Sequence, residues 1–237
     1  MISPLALVRF YVIFFLFSIK YSLLITLHIL IGYFFLINLK GNIIMAETKS
    51  SFTLKLNDKA PNFKLNDTRG KSIQLVDFNT NKAIVIMFIC NHCPFVKHLK
   101  KELTNLANDY IPKNVSFVAI MSNDVENYPS DSPELMAEDV KTFNYPFPYL
   151  YDSTQEVAKS YGAACTPDFF ILDSEHKIKY MGQFDDSRPG NSIPVSGKDI
   201  RRALNLIIEN KSLDFNQNPS LGCNIKWIPG NEPNYYG

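Results

Sequence analysis

Residues 83–97 read AIVIMFICNHCPFVK, and this stretch decides the fold. Its first part, Ala83 to Ile89, is continuously apolar and rich in β-branched residues, which is typical of a strand buried on both faces of a sheet. Apolar residues then recur at helical spacing, so an amphipathic helix is predicted from Pro94 to about Tyr110, with proline in its first turn. The run VSFVAIM at 115–121 predicts a second buried strand. Together these elements predict a right-handed parallel crossover.

The sequence on either side supplies the remaining elements of an α/β domain. They are a hairpin at 62–65 and 72–75, a helix capped by Ser132 and ending near 143, a helix starting at the capping box 153–156 and ended by Gly162, a second hairpin at 169–172 and 178–181, and a last helix at 198–210. Residues 211–237 are rich in Asn, Pro and Gly, which predicts an irregular C-terminal tail on the surface.

Length and charge exclude several classes of protein. The chain has 237 residues, enough for one ordinary domain with an extension. Residues 45–237 hold 21 of the basic residues and all 23 acidic ones. A nucleic-acid-binding face needs a clear basic surplus, so we expect no nucleic-acid partner.

Residues 1–44 form a separate hydrophobic segment that carries three basic residues and no acidic one. The 19 residues from Tyr21 to Leu39 have no formal charge, close to the length that crosses a bilayer. We therefore expect a single-pass transmembrane helix within residues 10–39 that anchors the protein to a membrane. Met45 precedes a polar, domain-like sequence, so the alternative is a misassigned start and a cytoplasmic protein that begins at Met45.

The chemistry concentrates in a Cys-x-x-Cys motif, Cys90 and Cys93, where the predicted strand meets the predicted helix. The N–H groups and dipole at a helix N-terminus favour a thiolate over a thiol. Two cysteines at this spacing can also close a reversible disulfide, which is the basis of dithiol redox catalysis. Such a pair is its own redox group, so no cofactor and no metal is expected.

The motif is also compatible with two roles outside redox catalysis. Cys90, His92, Cys93 and His98 could bind zinc, although a structural zinc site usually recruits a second, distant pair of ligands. The cysteines could also be inert core residues, although packing alone poorly accounts for two of them at one helix start. Haem attachment is excluded, because Pro94 stands where a Cys-x-x-Cys-His motif needs histidine.

The order of these elements resembles the thioredoxin fold, and more narrowly the redoxin branch related to alkyl hydroperoxide reductase and to membrane-tethered thioredoxin-like proteins. The resemblance covers residues 54–210. The runs FICNHCPFVKH, YGAACTPDFFILD, GQFDDSRPGN and GCNIKWIPGN further resemble a specific peroxiredoxin-like subgroup of this branch. The resemblance implies a central mixed sheet flanked by helices, with an N-terminal β-hairpin extension. It also implies a cis peptide bond between Thr166 and Pro167 facing the active-site sulfurs, with Cys165 beside them.

The motif departs from the family patterns in ways that bear on the roles of its cysteines. Ile89 stands where thioredoxins have tryptophan if Cys90 is matched to their first cysteine. Cys93-Pro94 resembles the peroxidatic Cys-Pro of peroxiredoxins, but Cys90 replaces the expected threonine. We assign Cys93 as the attacking thiolate and Cys90 as its resolving partner, with the reverse order open. Cys165 is an alternative resolving residue, and Cys223 in the tail is assigned a structural or incidental role.

The sequence therefore predicts a thiol-disulfide oxidoreductase that acts on protein or small-molecule disulfides. A thiol reductant such as a thioredoxin or glutathione system would be its partner. The first alternative is a thiol peroxidase that reduces hydroperoxides through Cys93. The second alternative is a non-catalytic zinc-binding or redox-sensing module.

Overall fold

The computed structural model describes residues 47–78 and 82–236. A mixed sheet built around one fully buried strand forms the centre of this part of the chain. The strands are β1 (Glu47–Lys49), β2 (Lys64–Asp67), β3 (Ser72–Gln74), β4 (Ala83–Phe88), β5 (Val115–Met121), β6 (Tyr149–Tyr151), β7 (Cys165–Thr166), β8 (Asp168–Asp173), β9 (Ile178–Gly182) and β10 (Leu221–Asn224). The α-helices are α1 (Pro94–Tyr110), α2 (Pro133–Phe143), α3 (Glu156–Tyr161) and α4 (Lys198–Ile208).

The larger sheet of the described residues has the strand order β3-β2-β6-β5-β4-β8-β9. Strand β4 lies between parallel β5 and antiparallel β8, and all six of its residues are buried. Parallel pairing of β4 with β5 through α1 confirms the predicted crossover, and both predicted hairpins form as antiparallel pairs. The carboxyl end of β4 therefore delivers the cysteine motif directly to the start of α1.

The helix signals were informative to different degrees. Helix α2 begins after Ser132, whose hydroxyl accepts from the N–H of Leu135 as predicted. The predicted capping box at 153–156 is wrong, because Gln155, in a left-handed conformation, occupies the N-cap position of α3. Buried Asp152 accepts from the N–H of Ala158 at 2.9 Å and takes the capping role instead.

A second, smaller sheet has the order β1-β10-β7 and includes part of the sequence predicted to be irregular. Strand β10 lies inside residues 211–237, and Cys223, Ile225 and Trp227 are buried. The expectation of an irregular surface tail is therefore wrong here. The prediction failed because apolar residues that pack inward alternate with polar ones in this segment. That pattern allows it to pair as a strand despite its Asn and Pro content.

The predicted transmembrane span at 21–39 and the rest of residues 1–44 lie outside the described residues. Among the helices that the structure does describe, none has the length and apolar character to cross a membrane.

Candidate active site

Cys93 occupies the N-cap position of α1, the last residue before the helix begins. Its backbone is extended, with φ −61° and ψ 125°, and Pro94 follows at the first helical position. The residue has no solvent exposure. Its sulfur therefore lies at the positive end of the helix dipole, which favours the thiolate, while burial opposes ionisation.

Cys90 lies in the loop between β4 and α1, and it is also buried. Its Sγ is 3.4 Å from Oγ1 of Thr166 and 3.9 Å from Nδ1 of His92. The Thr166-Pro167 peptide bond is cis, as the resemblance implied. The carbonyl oxygen of Thr166 lies 3.1 Å from the Cys93 sulfur, so Thr166 contacts both members of the motif.

Cys223 completes the cluster from the C-terminal side of the chain. Its Sγ lies 2.8 Å from that of Cys93, longer than the roughly 2.05 Å of a covalent disulfide, and no disulfide joins the cysteines of the described residues. The assignment of a structural or incidental role to Cys223 did not anticipate this contact. The alternation of buried Cys223, Ile225 and Trp227 with polar neighbours is the signal that could have revealed a strand there.

Cys165 is fully buried beside the cis-proline loop. Its Sγ contacts the carbonyl oxygen of Pro167 at 3.5 Å. Burial raises the pKa of the Cys165 thiol well above its usual value, with a further contribution from nearby Asp168. In this geometry Cys165 is a neutral thiol.

The three clustered cysteines differ in how readily they ionise. Hydrogen bonding from Cys223, and then from Cys90, lowers the pKa of Cys93 well below its usual range, with backbone N–H groups adding to the effect. Burial raises the pKa of Cys90, and its hydrogen bond to Cys93 raises it further. The hydrogen bond to Cys93 is also the main reason that the pKa of Cys223 is raised. Cys93 is thus the thiolate of the cluster, and its two neighbours hold the protons.

A buried aspartate fixes the loop that carries the motif. Oδ2 of Asp131 accepts from Nδ1 of His92 at 2.6 Å and from the side-chain amide of Asn123 at 2.8 Å. Oδ1 accepts from the backbone N–H of Asn91 at 2.8 Å. Burial raises the pKa of Asp131, but hydrogen bonds from His92 and Asn123 outweigh it and leave the pKa below its usual value. Asp131 is therefore a carboxylate that holds the Cys90–Cys93 loop in place.

Cys90, His92 and Asp131 also form the one group of metal-ligating side chains that residues 47–78 and 82–236 bring together, with ligand atoms within 4.8 Å of one another. N–H donors already occupy both oxygens of Asp131. His98, a candidate ligand in the alternative zinc site, instead pairs with the Ser187 hydroxyl at 2.6 Å. The geometry is that of a hydrogen-bonded loop more than of an open metal site.

Sequence reasoning missed the residues that support the motif from a distance. The buried ammonium of Lys100 donates to the carbonyl of Asn91 at 3.2 Å and forms an ion pair with Asp139. The Tyr149 hydroxyl donates to the carbonyl of Ile89 at 3.3 Å. Tyr149 and Asp139 are separated from the loop by helices and strands, and Lys100 lies in α1 nine residues after Asn91, so no short motif marked them.

Comparison with known proteins places the chain among redox proteins. Residues 56–181 match the model of the AhpC/TSA family. A curated relative, the thiol-disulfide oxidoreductase ResA of Bacillus thuringiensis subsp. konkukian, is 26% identical over 129 residues, which cover 53% of this chain and 68% of the relative.

Solved structures agree with the fold. The crystal structure of an uncharacterized conserved protein from Geobacillus kaustophilus is 55% identical, with a TM-score of 0.76 over 78% of this chain and 98% of that one. A putative thiol:disulfide interchange protein DsbE from Chlorobium tepidum is 17% identical, with a TM-score of 0.53 over 66% of this chain and 99% of that one. The expected mixed α/β, thioredoxin-like fold is confirmed.

Proposed function

The chain belongs to the AhpC/TSA family, and from this premise we propose that it is a thiol-disulfide oxidoreductase in which Cys93 attacks and Cys90 resolves. The observation that carries the proposal is the position of Cys93 at the N-cap of α1, where Thr166 contacts the sulfurs of both Cys90 and Cys93. The similarity to ResA, itself named as a thiol-disulfide oxidoreductase, supports the same chemistry.

The reaction needs only sulfur chemistry. The Cys93 thiolate attacks one sulfur of a substrate disulfide, forms a mixed disulfide and expels the other sulfur as a thiolate. Cys90, after losing its proton, attacks the Cys93 sulfur, closes the Cys90–Cys93 disulfide and releases the second substrate thiolate. The substrate gains two electrons and the cysteine pair loses them. A thiol reductant restores the pair by the reverse exchange, and no other cofactor takes part.

Thr166 and Pro167 have a supporting role in this proposal. The Thr166 hydroxyl lies 3.4 Å from the Cys90 sulfur, and its carbonyl lies 3.1 Å from the Cys93 sulfur. The hydroxyl is a hydrogen-bond partner for Cys90, while the carbonyl contact opposes negative charge on Cys93. Thr166 thereby helps to set how the single negative charge is divided between the two sulfurs.

A thiol peroxidase is the second candidate, and the complete burial of Cys93 favours it. A hydroperoxide is small enough to enter a buried site that a folded protein disulfide reaches only after the site opens. The Cys93 thiolate would then be oxidised to a sulfenic acid, with release of an alcohol or water, before a neighbouring thiol forms a disulfide.

One experiment separates these candidates. Reduced full-length protein is exposed separately to a glutathione redox buffer and to one equivalent of hydrogen peroxide, then alkylated and mapped by mass spectrometry. An internal disulfide at Cys93 that equilibrates in glutathione, with indifference to peroxide, supports the oxidoreductase. Rapid peroxide consumption with Cys93 oxidised first supports the peroxidase instead. About one tightly bound equivalent of zinc in the purified protein would contradict both and favour the zinc-binding module.

The membrane anchor is a further part of the proposal, supported by the uncharged residues 21–39. We expect full-length protein to sediment with membranes and to need detergent for release. A protein that starts at Met45 should remain in the supernatant under the same conditions. Recovery of the full-length chain in the supernatant would contradict the anchor and leave the redox proposal intact.

A further inference from the structure

We propose that Cys223 is a second resolving thiol, which closes a Cys93–Cys223 disulfide in competition with Cys90. This inference rests on the proposed exchange chemistry of Cys93. It starts from the 2.8 Å separation between the two sulfurs. The two candidate partners lie three residues before and 130 residues after Cys93 in the chain.

Strand pairing fixes where Cys223 lies. Strand β10 pairs antiparallel with β7, and in this register Cys223 is opposite Thr166. Thr166 is the residue whose carbonyl contacts Cys93, so the pairing brings Cys223 to the same sulfur. On its other side β10 pairs with β1, which puts Cys223 opposite Glu47. Cys223 therefore occupies a central strand of the small sheet and is held from both sides.

Gly222 permits the close approach that this position needs. A Cβ atom at Gly222 would lie 2.0 Å from the carbonyl oxygen of Thr166 and 2.6 Å from its carbonyl carbon. These are backbone atoms of the neighbouring strand and cannot rotate away. Any side chain at this position would push β10, and Cys223 with it, away from the cysteine motif.

The residues after β10 anchor the strand to the loop network of the active site. The backbone N–H of Lys226 donates to Oδ1 of Asn123 at 2.9 Å, and the N–H of Asp124 donates to the carbonyl of Lys226 at 2.8 Å. The side-chain amide of the same Asn123 donates to Asp131, which holds the Cys90–Cys93 loop. One hydrogen-bond network thus positions both partners of Cys93.

Electrostatic coupling between Cys93 and Cys223 makes the Cys223 thiol more reactive after Cys93 has formed a mixed disulfide. While Cys93 is a thiolate, its hydrogen bond to Cys223 is the main factor that raises the pKa of the Cys223 thiol. When Cys93 enters a mixed disulfide it loses its negative charge, so this contribution disappears. Nearby Lys226 lowers the pKa of Cys223. The Cys223 thiol therefore ionises more readily once there is a mixed disulfide to resolve.

The proposed step balances without any further reagent. The Cys223 thiolate attacks the Cys93 sulfur of the mixed disulfide, a Cys93–Cys223 bond forms, and the substrate sulfur leaves and takes up the proton. The two cysteines are oxidised by two electrons and the substrate is reduced by the same number. Cys90 can then attack Cys93, form Cys90–Cys93 and release Cys223, an isomerisation that transfers no electrons to or from the substrate.

The test uses oxidised glutathione as the substrate and full-length Cys90→Ser protein. If Cys223 resolves Cys93, each protein molecule releases two molecules of reduced glutathione and yields a Cys93–Cys223 peptide. If Cys223 does not act, only one molecule is released and Cys93 stays glutathionylated, which overturns the inference. The Cys90→Ser/Cys223→Ser double variant is the matched control, and it should stop at the glutathionylated stage. Resolution by Cys165 in that control would also overturn the specific role of Cys223.

Gly222→Ala in the otherwise native chain provides a second variant that leaves every cysteine in place. We expect the ratio of Cys93–Cys223 to Cys90–Cys93 disulfide to fall roughly tenfold, since a displaced strand strains the first bond and not the second. An unchanged ratio would overturn the inference. Failure of oxidised glutathione to modify Cys93 in any variant would instead contradict the proposed function itself, so the two failures are distinguishable.

Discussion

The two segments that meet at Cys93 contrast in how they reach the site. The near segment, residues 89–94, runs straight from the end of β4 into α1, so covalent connection alone brings its cysteines together. The far segment, residues 220–228, reaches the same sulfur only because β10 pairs with β1 and β7. The near segment therefore shows its chemistry in a short motif. The far segment depends on the whole domain being folded.

The largest expected effect comes from replacing Cys93, which lies in the near segment and is contacted by Cys223 of the far segment. Cys93→Ser should lower the rate of glutathione-dependent disulfide exchange by more than about 10³-fold, because loss of a nucleophile removes the chemical step. The steady-state rate with oxidised glutathione measures it. Cys165→Ser, an equally buried cysteine substitution, shows how much of any loss comes from burying a hydroxyl. Comparable losses in both variants would contradict the assignment of Cys93 as the nucleophile.

A stability measurement tests how firmly the far segment is held. Trp227 is 7% exposed and packs in the core, so Trp227→Ala should lower the free energy of unfolding by about 3 kcal/mol. Ile228, 38% exposed, is the matched control, and its change to alanine should cost less than about 1 kcal/mol. Urea unfolding of both variants gives the values. Equal, small losses would mean that the far segment is only loosely attached.

Hydrogen bonds link each segment to a buried aspartate, directly for Asp131 and through Ser50 for Asp168, and the pKa values of these aspartates move in opposite directions. Asp168 lies next to the far segment. Burial raises its pKa to about 6, although the Ser50 hydroxyl donates to it at 2.6 Å. Ser50 in turn accepts from the N–H of Ser220 at 3.0 Å. Asp131, in the near segment's network, has a lowered pKa.

For Asp168, the folded protein binds a proton more tightly than the unfolded chain. Its contribution to stability is therefore present at low pH and is lost as the pH rises from about 4 towards about 6. Asp168→Asn should remove this slope from a plot of unfolding free energy against pH. Persistence of the slope in the variant would assign it to another group.

For Asp131, the dependence of stability on pH has the opposite sign. Its lowered pKa contributes stability that is present above about pH 4 and is lost as the pH falls through the folded-state value. Asp131→Asn should cost about 1–2 kcal/mol at pH 7, because charged hydrogen bonds to the loop are lost, and should flatten the acid limb of the same plot. An acid limb identical to that of the native protein would contradict this assignment.

The same contrast between near and far segments explains which structural features could be predicted from the sequence. The apolar run of β4, the Pro94 start of α1 and the Ser132 cap are local signals, and the structure confirms them. The predicted capping of α3 was wrong because Asp152 reaches the helix N–H groups from outside the expected box. Asp131 acts across some forty residues of chain, and no periodic pattern encodes a contact of that separation.

Cys223 is a different kind of omission. Its strand could have been recognised in the sequence, because apolar and polar residues alternate from 223 to 227. The strand with which β10 pairs could not be recognised in the sequence. Tertiary packing decides that β10 pairs antiparallel with β7 and not with another strand edge. A composition rich in Asn and Pro outweighed the alternation and led to the prediction of a tail.

The pairing of β1 with β10 also bears on how the protein is made on the ribosome. These strands are separated by more than 170 residues, and Cys223 is synthesised well after Cys90, Cys93 and Cys165. During translation the nascent chain can close Cys90–Cys93 but has no access to its more distant partner. The sulfur cluster is completed only when β10 emerges and docks, so competence for the second disulfide arises late in biosynthesis.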